Sequence, residues 1–152
     1  MPEAKFKPKK GQVDFTHARY APVVNSVVTD GKKVLLVKRS DEMRLYPGYW
    51  NGISGFLDDK KSLEEKVREE LWQELGIRTA DVLEITPGRP FLQEAPQYSK
   101  TWIVVPVLAN VKPTGYKLNW EAQEASWFTA SEIKKLKLLP GFDNVIKQFF
   151  KL

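Results

Sequence analysis

The sequence predicts a mixed α/β or α+β sandwich, and three stretches carry that prediction. Valine-rich Ala21 to Thr29 runs into Asp30-Gly31, a strong hairpin signal, and Lys33 to Lys38 answers it as a second strand. Ser62 to Leu75 combines a capping box with an apolar stripe at helical spacing. Thr101 to Val111 is a long apolar run interrupted by Pro106, which suggests a strand at an edge or a bulge. Strands with few, separated helices sort into packed layers of this kind.

Residues 1–16 read as a basic N-terminal tail or irregular lead-in, with Lys5, Lys7, Lys9 and Lys10. Residues 17–152 read as a single domain. After the hairpin, Pro47-Gly48 marks a turn, and Trp50 to Leu57 reads as a short strand ending at a glycine-marked bend. Ser62 is the expected N-cap with Glu65 three residues on, and Gly76 is the expected C-terminal stop. Ile77 to Ile85 and Ala125 to Phe128 read as strands. Thr129 or Ser131 should cap a helix through Lys137, and a last helix is expected over Asp143 to Lys151.

The composition excludes several classes. Hydrophobic residues make up 42% and charged residues 28%, as in ordinary globular domains. There is no cysteine, so disulfides, zinc–thiolate sites and cysteine nucleophiles are out. The longest apolar stretch, Trp102 to Val111, is too short for a membrane-spanning helix. The N-terminal lysines precede no apolar segment, so they do not read as a secretory signal, and a cytoplasmic location is expected. The net charge of +5 owes much to the first ten residues, so it argues against a nucleic-acid partner more than for one. His17, the only histidine, lies beside that tail and reads as incidental.

The helix carries the chemistry. Leu63, Val67, Leu71 and Leu75 recur every four residues and form its apolar stripe. Glu74 projects within that arc and Glu70 at its edge, and the two are neighbours at i, i+4. Core-side carboxylates are costly unless paired or bound to a cation. Helix geometry leaves two readings open: glutamates solvated or paired with Lys or Arg, or a site for a hard divalent cation. Trp72 points away from the stripe and is expected against a loop or a partner chain.

Gly55 to Ile77 resembles the Nudix box. That pattern is a glycine, five residues, a glutamate, seven residues, then Arg-Glu-apolar-x-Glu-Glu-x-Gly-apolar. Here its end is Glu69-Glu70-Leu71-Trp72-Gln73-Glu74-Leu75-Gly76-Ile77, with Gly55 at the required distance. The hairpin ending in LLVKR, Trp50, and Trp127-Phe128 before a helix also sit where that family has similar features. Three positions depart: Lys61 stands for the early glutamate, Glu69 for the arginine and Gln73 for the first glutamate of the late pair. Lys61 and Glu69 repeat the family's brace with the signs exchanged, so an ion pair between them is expected.

The resemblance implies an α/β/α sandwich with a mixed sheet, and hydrolysis of a diphosphate linkage in a nucleoside diphosphate derivative or nucleoside triphosphate. It implies Mg²⁺, with Mn²⁺ as substitute, held by Glu70 and Glu74, with Gln73 offering an amide oxygen. Gly55 and Gly76 are the loop glycines of that pattern. A further carboxylate, as ligand or base, is expected at Glu121 in preference to Glu124. Arg39 is the candidate phosphate contact. Trp50-Asn51-Gly52 resembles a base-contacting segment, making Asn51 and Trp50 candidates for the substrate base. The partner is thus a nucleotide-like small molecule, with room for a homodimer. The competing reading is a Nudix-fold module that binds nucleotides with weak or no catalysis. An isomerase of the same fold is disfavoured by the missing cysteine.

Overall fold

A computed structural model of the chain describes residues 9–113 and 115–152; the first eight residues of the expected tail lie outside it. Tyr20–Thr29 (β1) turns at Asp30-Gly31 into Val34–Arg39 (β2). Gly31 has φ 100°, and Asp30 Oδ1 accepts from the backbone amides of Lys32 and Lys33 at 2.9 Å each, which closes the turn. The expected strand over 50–57 is broken at Gly52 into Trp50–Asn51 (β3) and Ile53–Phe56 (β4).

The helix forms as the sequence predicts. Leu63–Leu75 (α1) starts at N-cap Ser62 with a complete capping box to Glu65. Gly76, in the left-handed conformation at φ 66°, ends it. Ile77 then drops straight into the core, and Thr79–Asp81 makes a 3₁₀ turn, so the next strand starts later than expected, as Val82–Pro87 (β5). Phe91–Ala95 (β6) is a strand the sequence reading did not anticipate. Lys100–Val111 (β7) and Ala122–Phe128 (β8) follow. Ala130–Ile133 (α2), capped by Thr129, and Phe142–Ile146 (α3) are shorter than expected. After each, the ladder tightens to i→i−3 bonds, as at Leu136 to Ile133 and Phe149 to Ile146.

All eight strands join one mixed sheet with the path β3-β2-β1-β7-β5; β4 pairs with β1, β6 with β7 and β8 with β2. The parallel β1–β7 pair runs from Tyr20 opposite Thr101 to Thr29 opposite Asn110. Contrary to expectation, Pro106 lies in this central strand. It is tolerated because β7's other edge is shared: β5 covers Val107 to Val111 and β6 covers Lys100 to Val104. Pro106 faces the gap, where its carbonyl accepts from Gly88 N at 2.8 Å and no strand needs an N–H from it.

Alternation sends strand side chains to two cores. Leu35, Val37, Val24, Val28 and Ile53 meet Val67, Leu71 and Leu75 of α1 on one face. Leu36, Val34, Val27 and Trp102 meet Ile133 and the Phe142, Val145 and Ile146 of α3 on the other. Helices on both faces make the three-layer sandwich. Residues 9–19 lie against this body: Phe15 stacks on Phe56 with centroids 6.2 Å apart, and the Lys100 ammonium donates to the carbonyls of Phe15, Thr16 and Ala18. Among the described residues no helix is long and apolar enough to cross a membrane.

Candidate active site

Three elements bring the acidic side chains together. Helix α1 presents the row Lys66, Glu70, Glu74, one turn apart. β4 passes beside it, and Gly55 lies so close that an added Cβ would fall 2.5 Å from Glu70 Oε1. The loop before β8 brings Glu121. Asn119 fixes that loop by donating from Nδ2 to the carbonyl of Gln73 at 3.1 Å and to Glu121 Oε2 at 3.3 Å, while its Oδ1 accepts from Glu121 N at 3.0 Å. Glu121 is thereby stapled to the C-terminal end of the helix.

Glu70 and Glu74 are destabilised as anions. Burial raises the pKa of Glu70, with the Lys66 charge opposing and Glu121 adding to the rise. Burial also pushes Glu74 well above the ordinary glutamate range, reinforced by the Glu121 and Glu70 charges and only partly opposed by Arg39. Glu74 is 9% exposed, and its Oε2 has no hydrogen-bond partner among the described residues. A buried carboxylate oxygen without a donor is costly, and a cation would satisfy it. Among the described residues no group of three or more Asp, Glu or His is placed to hold a metal ion, so only one or two carboxylates could serve one here. That suits an ion such as Mg²⁺, which uses one or two carboxylates and completes its shell with water and substrate phosphate.

Glu70, Glu121, Gln73 and Arg39 line a cavity of about 790 Å³, as do Gly55 and Asn51. This lies in the range of small-molecule sites, roughly 300–1,000 Å³. Gln73 is exposed at its margin. Arg39 Nε donates to the Leu45 carbonyl at 2.9 Å, which orients the guanidinium. Asn51 is buried, accepting from Asn25 Nδ2 at 2.9 Å and donating to Ser54 Oγ at 3.3 Å. Tyr46, held by a hydrogen bond from Trp102 Nε1 at 2.9 Å, also lines the cavity.

Other expected site residues lie elsewhere. Trp50 is not brought to the cavity. Its ring packs edge-on against Phe128 at 5.1 Å, on the opposite face of the strand from Asn51. Glu124 is exposed, and Gly76 serves the helix end rather than the cavity. Lys61 Nζ and Glu69 Oε2 form the expected ion pair. Sequence reasoning missed Lys66, whose signal was its place in the i, i+4 row with Glu70 and Glu74. It also missed Asn119, whose signal was an Asn two residues before the glutamate it positions.

The NUDIX domain model matches residues 19–149. Nudix hydrolase 19, chloroplastic, from Arabidopsis thaliana is 30% identical over 122 residues, covering 78% of this chain and 27% of that protein. NAD(P)H pyrophosphatase NUDT13, mitochondrial, from Mus musculus is 30% identical over 121 residues, covering 77% and 32%. The chain thus spans about a third of the length of these relatives. Among solved structures, the NUDIX domain of Shewanella oneidensis NrtR complexed with ADP ribose superposes with TM-score 0.71 at 20% identity, covering 85% of each chain.

Proposed function

The chain belongs to the NUDIX domain family, and from that premise we propose that it hydrolyses a diphosphate linkage in a nucleoside diphosphate derivative or nucleoside triphosphate, with Mg²⁺ or Mn²⁺. One observation carries this reading: the buried Oε2 of Glu74, without a hydrogen-bond partner among the described residues, lies behind Glu70 and Glu121, which line a cavity of nucleotide size. Glu70 and Glu74 hold the ion, and the Gln73 amide oxygen stands beside them. What the ion supplies when bound is neutralisation of diphosphate charge and acidification of the attacking water. Glu121 accepts the proton that water loses as its oxygen bonds to phosphorus and the bridging P–O bond breaks. Arg39 meets a phosphate oxygen, and the Asn51 amide faces the base. The names of the relatives, an NAD(P)H pyrophosphatase and a domain complexed with ADP ribose, support substrates with a nucleoside diphosphate core.

A panel of nucleoside triphosphates, ADP-ribose, reduced and oxidised nicotinamide dinucleotides and dinucleoside polyphosphates, each with Mg²⁺ and Mn²⁺, tests it. Turnover of at least one is expected, and Glu74→Gln should lower it at least about a hundredfold, a loss of several kcal/mol of charge stabilisation. Wild-type turnover in Glu74→Gln overturns the metal assignment. A second reading has its own support, since the Lys66 ammonium 3.9 Å from Glu70 Oε1 competes with a divalent ion. Nucleotide binding without any turnover on the panel would replace the enzyme with a sensor.

A further inference from the structure

Part of the basic lead-in is built into the wall of the cavity. Lys9 to Gln12 makes a tight turn: Gln12 N donates to the Lys9 carbonyl at 2.9 Å, Lys9 N donates to Gln12 Oε1 at 3.0 Å, and Gly11 supplies a φ of 82° at the third position. The turn is fastened to Asp58, where Gln12 Nε2 donates to Oδ2 at 2.8 Å and Val13 N donates to the carbonyl. Asp58 is buried, and its Oδ1 faces the Lys66 ammonium at 3.2 Å, so the anchor is held from both sides. Lys9 and Lys10 are exposed, yet both line the cavity that Glu70, Glu121 and Arg39 also line.

Charge says what these two lysines can do there. Lys61 and Lys66 line the cavity too, but Asp59 and Glu69 engage both of them. Among the described residues Lys9 and Lys10 form no such pair. One divalent ion and Arg39 answer the charge of a diphosphate. A phosphate monoester elsewhere on the substrate adds a further charge of about −1.5 to −2 at neutral pH. An ammonium is a compact charge with three donors, suited to such a group. We propose that Lys9 and Lys10 bind a phosphate monoester that the substrate carries beyond its cleaved diphosphate, and that Gln12 is the positioning residue that holds their turn over the cavity. The monoester is the end of a polyphosphate chain or a 2′-phosphate on a ribose, and the chemistry the lysines read is the same. The inference rests on the reading that the cavity takes a nucleotide.

Calorimetric titration of the full chain with Mg²⁺ present tests this on probes without a cleavable diphosphate. Two pairs of probes differ by one phosphate each: bismethylene ATP against α,β-methylene-ADP, and adenosine 2′,5′-bisphosphate against AMP. Lys9→Gln with Lys10→Gln should weaken the phosphate-richer member of a pair about tenfold, about 1.4 kcal/mol, and leave its counterpart within about twofold. Such a loss in the first pair assigns the end of a polyphosphate chain, and in the second a 2′-phosphate. Gln12→Ala should act in the same way, and Lys9→Arg with Lys10→Arg should keep the wild-type affinities. Equal losses within a pair, or no loss in either pair, overturn the proposal. If the variants behave as expected while the substrate panel shows no turnover, this assignment stands and the hydrolytic reading fails. If the wild type binds none of the probes, both fall.

Discussion

Gly55 and Glu70 touch: there is no space between the β4 backbone and the Glu70 carboxylate for even a methyl group. A Cβ at position 55 would lie 2.5 Å from Oε1 and 2.7 Å from Cδ of Glu70. The atoms in the way belong to the end of a flexible side chain, so the fold can yield cheaply while the carboxylate cannot stay put. Gly55→Ala should therefore melt close to the wild type yet lose about tenfold or more in hydrolysis, about 1.4 kcal/mol of misplacement. Parallel melts and rate measurements check this. A large fall in melting temperature with unchanged rates would contradict it.

Glu74 makes the apo chain sensitive to pH. Its pKa is raised in the fold, chiefly by burial, and Glu70 shifts the same way. The folded chain then holds protons that the unfolded chain has released, so stability is full below the ordinary glutamate pKa and is lost as pH rises through the raised value. Melting temperature in chelator should fall across that window. Mn²⁺ should restore it, and Glu74→Gln should flatten the slope. A chelated wild type that becomes more stable over this range would refute the assignment.

Leu71 is fully buried between α1 and the sheet. Leu71→Ala should cost about 2–5 kcal/mol, read from denaturant unfolding, because the sheet beneath cannot collapse into the space.

The Lys61–Glu69 pair is exposed to water on its lysine side. Removing either charge should shift stability only slightly, but Lys61→Glu with Glu69→Arg should melt with the wild type, since it restores the pair with opposite polarity. A double variant less stable than both single variants would show that polarity matters, through Asp59 and Lys66 nearby.

What was legible in the sequence had local causes. The cap at Ser62, the stop at Gly76 and the turn at Asp30-Gly31 are hydrogen-bonding patterns within a few residues, and each formed as expected. The Lys61–Glu69 pair was legible only through the resemblance to the Nudix box, whose brace these two positions repeat with the signs exchanged. Strand β6 was hidden because alternate residues face solvent, Leu92 among them at 62% exposure, and prolines flank it. Lys66 was hidden because a lysine beside an apolar stripe normally reaches for water. Only the fold shows that the Asp58 loop closes over it. Trp50 and Asn51 are adjacent strand residues facing opposite ways, and of the two only Asn51 lines the cavity.

The parallel union of β1 with β7 fixes the order in which this chain can mature on a ribosome. Tyr20 must wait for Thr101, about eighty residues later, before the centre of the sheet exists. Until then Ala21 to Thr29, almost wholly buried in the finished protein, is a nascent apolar segment with one edge covered by β2 and β4 and the other open. The segments made first can form β1, β2, β4 and the capped helix, while the β1–β7 ladder needs the chain through Asn110. Slowed translation before Val111 should therefore lower soluble yield through aggregation of the incomplete chain, whereas a pause after β8 should be harmless.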